Sequence, residues 1–195
     1  MTIQEKYDLA RPYIEHGDVL FFRGKSFLAK GIQWADNAYY NHVGMIKQDS
    51  DRLLILDAWT KGIGQVALSD RINDYDGGDF CILKFNLPYK VRDRGIKWCT
   101  NQIGYNRGYD HFTILRQLLA LKAGIDIKLI GNPNKYICSE FFQEYTKQLG
   151  LKNYESSGLI TPQDGIRYMD INISMLIFNS EDMNLYPKPS FRNNK

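Results

Sequence analysis

One cysteine in this chain stands where it could act as a nucleophile. Over residues 138–149 the apolar side chains Phe141, Phe142, Tyr145 and Leu149 recur at helical spacing and Gly150 supplies a stop, so Cys138 is expected in the first turn of a helix. There the positive end of the backbone dipole and the unpaired N–H groups favour thiolate over thiol. Cys81 falls in an apolar run that reads as a buried strand, and Cys99 falls in mid-helix. Both read as small core hydrophobes.

A thiolate needs a histidine to share its proton and later to protonate a leaving group. His16 falls in a turn and His111 at a helix start, whereas His42 begins the run His42-Val43-Gly44-Met45-Ile46, which reads as a strand. Gly44, two residues on, shares the face of His42 and leaves room beside its ring. A lone strand histidine is also a common structural residue, so a partner is needed to decide. Gln48-Asp49-Ser50-Asp51 reads as a hairpin turn between this strand and the next, 53–59. An even loop around Asp49-Ser50 sets Gln48 opposite Asp51 and His42 opposite Asp57, with both side chains on one face. Asp57 lies in the apolar run Leu53-Leu54-Ile55-Leu56-Asp57-Ala58-Trp59, where a buried carboxylate needs a partner, and orienting His42 would supply one. The competing reading is a strand-end residue exposed to water, and an odd loop would place the two on opposite faces.

The elements that must position these residues can be read coarsely. A helix is expected over 1–15, a strand over 19–22, a helix over 27–35 and a third strand over 80–85, with the segment 66–72 ambiguous. Helices follow over about 92–102 and 112–123, then a turn at Gly131-Asn132-Pro133-Asn134. The polar stretch 179–195 reads as an extension of a single domain spanning 1–178.

The 195 residues, 44% hydrophobic and 13% aromatic, suit one sizeable core. The 25 basic and 22 acidic residues are scattered, with a net charge of +3, and form no nucleic-acid footprint. Charged Glu5, Lys6, Asp8 and Arg11 interrupt the N-terminus where a secretory signal would be apolar, and no apolar stretch is long enough to span a membrane. The expectation is a cytoplasmic protein, for which release by lysis or phage-type delivery is possible and membrane association is possible but not indicated. Three cysteines cannot all pair, and none has zinc-ligand spacing, so no metal or other cofactor is called for.

Read together, Gly17-Asp18-Val19-Leu20-Phe21-Phe22, Asn41-His42-Val43-Gly44-Met45, Asp57-Ala58, Gly108-Tyr109-Asp110, Tyr136-Ile137-Cys138-Ser139-Glu140 and Thr161-Pro162-Gln163-Asp164 resemble, in order, the motifs of circularly permuted NlpC/P60 proteins of the YaeF/YiiX type. The resemblance runs from about Gly17 to Asp164, with histidine before cysteine and Asp57 where Glu is common. It implies an α+β, papain-like fold in which a helix carrying the cysteine packs against an antiparallel sheet carrying the histidine. It also carries over Cys138, His42 and Asp57 as a triad. Tyr136, Tyr109, Tyr40 and Trp34 are weaker candidates for lining the site. Glu140 points about 200° around the helix from Cys138 and is expected to be structural, while remaining the alternative acid.

The chemistry so implied is attack on an amide through a thioester acyl-enzyme, the substrate being a peptide or a peptidoglycan-type peptide. A lipid acyltransferase or lipid-amide hydrolase of the same superfamily is the alternative enzyme, with the apolar segment 114–130 as its hydrophobic cover. A non-catalytic binding module is the alternative of another class, disfavoured because such a module has no chemical need for all three residues.

Overall fold

The computed structural model describes residues 1–25, 30–31, 33–34, 38–59, 62–75, 78–103, 108–109, 135–151, 161–167 and 174–179. The expected helix over 112–123, the turn at 131–134 and the stretch 180–195 lie outside them. Of the helix expected over 27–35, residues 30, 31, 33 and 34 are helical.

The chain opens with α1 (Ile3–Ala10), closed at its start by reciprocal bonds between Thr2 and Glu5: Thr2 Oγ1 accepts the Glu5 N–H at 3.2 Å and Glu5 Oε2 accepts the Thr2 N–H at 2.7 Å. The helix is shorter than its apolar stripe suggests. Pro12 has no N–H to continue the ladder, and Arg11–Tyr13 tightens into a single 3₁₀ turn.

Strands β1 (Val19–Arg23), β2 (His42–Asp49), β3 (Arg52–Trp59), β4 (Gly62–Ala67) and β5 (Asp79–Phe85) join β8 (Ser174–Asn179) in an antiparallel sheet of order β4-β3-β2-β1-β5-β8. Between β4 and β5 lies α2 (Leu68–Asp74), which resolves the segment that is ambiguous in sequence into a strand end and a helix start. After β5 come α3 (Tyr89–Ile103), α4 (Cys138–Gln148) and α5 (Pro162–Arg167). Residues Gly108–Tyr109 (β6) and Lys135–Tyr136 (β7) form a separate parallel pair.

Both faces of the sheet are covered. Phe21, Val43, Met45, Leu56 and Leu83 meet Ile96 and Cys99 of α3 and Phe141, Phe142 and Tyr145 of α4. On the opposite face Leu20, Phe22, Ile46, Ile55 and Ile82 meet Ile3 and Tyr7 of α1, Leu68 and Ile72 of α2, and Tyr75. This is why residues 19–22 and 80–83 read as unbroken apolar runs instead of alternating.

Helix α4 is held firmly at the depth the site requires. Tyr145 Oη donates to the Gly17 carbonyl at 2.8 Å. Gly95 of α3 lets the two helices approach, since a Cβ there would meet Tyr145 Cε2 at 2.6 Å and Leu149 Cδ2 at 2.9 Å. The helix ends as its sequence indicates, with Gly150 at φ 80°, its N–H bonding the Lys147 carbonyl at 2.9 Å and the Leu151 N–H bonding the Thr146 carbonyl at 3.1 Å.

Asp18, at the entry to β1, is fully buried. Its Oδ2 accepts the Glu15 N–H at 2.7 Å, while its Oδ1 has no hydrogen bond and Arg92 Nη1 stands 3.8 Å away. Burial pushes this carboxyl up to about 7, against the bond from Glu15 and the nearby cations, which pull it down. Because the unfolded chain ionises near the ordinary value and the folded chain resists doing so, stability drains away as pH rises from about 4 towards 7. Asp18→Asn is expected to flatten that slope, with a change on the order of a few kcal/mol across the window; thermal melts from pH 4 to 8 read it directly.

Candidate active site

His42 is the first residue of β2, and Asn41 fixes how the chain enters that strand. The Asn41 N–H donates to the Phe22 carbonyl at 2.9 Å, its Oδ1 accepts the Gly24 N–H at 3.1 Å and its Nδ2 donates to the Gly24 carbonyl at 3.3 Å. The side chain thus clasps β1 to β2 just before the histidine. The sequence motif contains Asn41, but nothing in its composition or spacing indicates this role.

The β2–β3 hairpin turns at Ser50-Asp51, with Asp49 paired to Arg52 and Ser50 at φ 53°. Gln48 therefore faces Leu53 and not Asp51, a shift of two residues from the expected register. The ladder runs to Met45 opposite Leu56, and its continuation sets Asp57 across from Gly44, diagonal to His42. A shift of two preserves the face, so the shared side survives while the direct opposition does not. Gly44 makes the diagonal reach feasible: a Cβ there would meet Ile55 Cδ1 at 2.6 Å and Asp57 Cβ at 3.1 Å.

His42 Nε2 lies 2.9 Å from Asp57 Oδ2, and both residues are buried. Asp57 is not a strand-end residue in water. Its second partner is Arg71 of α2, whose Nη2 donates to Oδ1 at 3.1 Å and whose Nε stands 2.9 Å from Oδ2, close enough for charge attraction but off the hydrogen-bond angle. The His42 ring packs edge-on against Trp59 at 4.9 Å between centroids, and Tyr75 stacks beside it at 6.0 Å. Arg71 is the residue the sequence reading missed. It sits in the ambiguous segment, 14 positions from Asp57, with no local pattern tying the two together.

Cys138 opens α4 and is 5% exposed. Its thiol lies close enough to the His42 ring to act on the imidazole's proton. With Nε2 turned to Asp57, Nδ1 is the ring nitrogen left for the sulfur. Burial alone would push the imidazole down. The charge of Cys138, the bond to Asp57 and the bond to Cys138 outweigh it and raise His42 to about 9. Burial pushes Cys81 up to about 12 and Cys99 well above the ordinary range.

The helix start has a feature of its own. Ile137, its N-cap residue, carries no side-chain oxygen, and Glu140 Oε2 reaches back to accept the Ile137 N–H at 3.0 Å. The first-turn N–H groups of Cys138 and Ser139 therefore have no side-chain cap. Glu140 is placed at the helix start, as its structural reading expects.

The weaker candidates separate. Tyr136 is half-buried against Phe141, at 6.1 Å between ring centroids, and Tyr109 pairs with Tyr136 through the backbone of β6 and β7. That pairing brings the segment 108–109 alongside the residues leading into Cys138. Tyr40 is buried in the core, with its ring centroid 6.4 Å from that of Phe21. Trp34 is 65% exposed. Among the described residues no group of three or more His, Cys, Asp or Glu is placed to hold a metal ion, and no helix is long and apolar enough to cross a membrane.

An antiparallel sheet bearing the histidine, packed against a helix whose first residue is the cysteine, is an α+β architecture. Among solved structures, the chain is similar to the metalloprotein yiiX from Escherichia coli O157:H7, at 17% identity and a TM-score of 0.48, with 76% of this chain and 89% of that chain covered. No protein-family model matches the sequence, and no curated protein matches it.

The geometry around Gly44 makes a direct demand on size. Gly44→Ala is expected to cost about 1–3 kcal/mol through overpacking against Ile55 and Asp57, measured by chemical denaturation. The folded fraction is expected to alkylate more slowly at Cys138, because the Asp57 carboxylate is displaced from His42.

Proposed function

We propose that this protein is a cysteine hydrolase that cleaves an amide bond of peptide type, with Cys138 as nucleophile, His42 as base and Asp57 as the residue that orients the imidazole. The observation that carries the reading is the continuous chain of contacts from Cys138 through His42 to the buried Asp57 carboxylate.

In this mechanism the Cys138 proton passes to His42 Nδ1 and the sulfur attacks the carbonyl carbon. The developing oxyanion is stabilised by the uncapped N–H groups at the start of α4. The C–N bond then breaks, the imidazolium gives its proton to the leaving amine, and a thioester remains on Cys138. A water molecule, deprotonated by His42, attacks that thioester; the carboxylic product leaves and the thiol regains its proton. Asp57 remains ionised throughout and holds Nε2–H, which keeps Nδ1 aimed at the sulfur.

A histidine raised to about 9 is a strong enough base to draw the Cys138 proton across the neutral range. Iodoacetamide, followed by mass spectrometry, is therefore expected to label native Cys138 rapidly at pH 6–7 while the buried Cys81 and Cys99 stay unlabelled. His42→Ala is expected to slow that labelling about tenfold or more. With peptide amides as substrates, a Cys138-linked acyl adduct should be trapped at low pH, and Cys138→Ala should lower turnover at least about a thousandfold. Labelling of Cys138 no faster than of the two core thiols, and indifferent to His42, would remove the basis of the proposal.

A further inference from the structure

Asp57 serves two cations, and the second one has no part in the mechanism above. Arg71 is buried, 7% exposed at its side chain, and is gripped on three sides. Its guanidinium meets both oxygens of Asp57, its Nη1 donates to Asp74 Oδ2 at 2.7 Å, and its Cζ lies 4.3 Å above the centre of the Trp59 ring. Trp59 is the same ring whose face or edge meets His42. A guanidinium held in this way, with one hydrogen bond and one close charge contact to the carboxylate, restrains it at two oxygens, where a lysine would offer a single point charge.

The charges around His42 come from several elements. Cys138 faces it from α4, Asp57 from β3, and Arg71 from α2 through Asp57; Tyr75, beyond α2, stacks on the ring, and Asp74 touches Arg71 alone among these groups. Were Asp57 paired with His42 alone, a full buried negative charge would face the imidazole, and the ring would be held strongly as a cation. A base held that way returns its proton to a leaving amine poorly.

We propose that Arg71 is a positioning residue of this site: it holds the Asp57 carboxylate against His42 and draws off part of its charge, so that the imidazole is oriented yet grips its proton less tightly than an Asp57 paired with His42 alone would make it. This rests on the hydrolase reading for its purpose, but its electrostatic content is measurable without turnover.

The test follows the imidazole nitrogens by ¹⁵N NMR of histidine-labelled protein, with the His42 signals assigned by their loss in His42→Ala. Alkylation of Cys138 is measured over the same pH series. In Arg71→Met the His42 titration midpoint is expected to rise by about one pH unit, since a nearby like charge has been removed, and in Arg71→Lys to stay close to that of the native protein. Arg71→Gln, which keeps a donor without the charge, is expected to rise as Arg71→Met does and provides the measurement if the methionine variant does not fold. A folded Met or Gln variant whose midpoint is unchanged or lower would overturn the proposal. Failure of the hydrolase reading looks different: Cys138 would ignore His42 in the native protein while the Arg71 variants still moved the His42 midpoint.

Discussion

The structure around the site depends on one buried carboxylate. Asp57 is wholly enclosed between sheet and helix, and a charge there is tolerable only because a guanidinium and an imidazole close on it from two sides. Each neighbour is constrained in turn. Gly44 must lack a side chain for Asp57 to sit beside it, Trp59 must stand perpendicular to the His42 ring while offering its face to Arg71, and α2 must start directly at the end of β4 for Arg71 to arrive at the correct height. A conventional hydrophobic core would have placed none of these demands on four separate elements.

That carboxylate also gives the site its directional character. Asp57 occupies one ring nitrogen, so the other can point only towards the helix that carries Cys138. The histidine and aspartate belong to the face of the sheet that packs on α1 and α2, whereas Cys138 belongs to the layer of α3 and α4. Because His42 is the first residue of its strand, its ring sits at the end of the sheet and can interact with a group from the other layer. Asn41, clasped to Gly24, keeps that end from fraying.

Much of this was legible in the residues, for reasons that differ by element. Helix α4 announced itself through its apolar spacing and Gly150, which placed Cys138 at its first turn. The shared face of His42 and Asp57 followed from strand parity alone and so tolerated an error of two in the hairpin register. Arg71 was not legible, because α2 begins at Ala67 with no side-chain cap and no break after β4, leaving neither a start signal nor a strand end to read. Its bond to Asp57 is tertiary, and no periodicity encodes such a bond. Tyr40 shows the converse limit: an aromatic close to His42 in sequence belongs, in space, to the core.

The order of these residues along the chain sets a sequence of events in synthesis. His42, Asp57 and Arg71 all lie within residues 42–71, on strands β2 and β3, which are joined by a tight turn, and on the helix that follows β4. Such local pairings form early as a chain emerges, whereas the helix bearing Cys138 is made some way later. His42 and its partners Asp57 and Arg71 can therefore assemble before Cys138 has been made. Cys138 and His42 come together only when α4 docks on the sheet, in the same event that brings Phe141, Phe142 and Tyr145 into the second core layer.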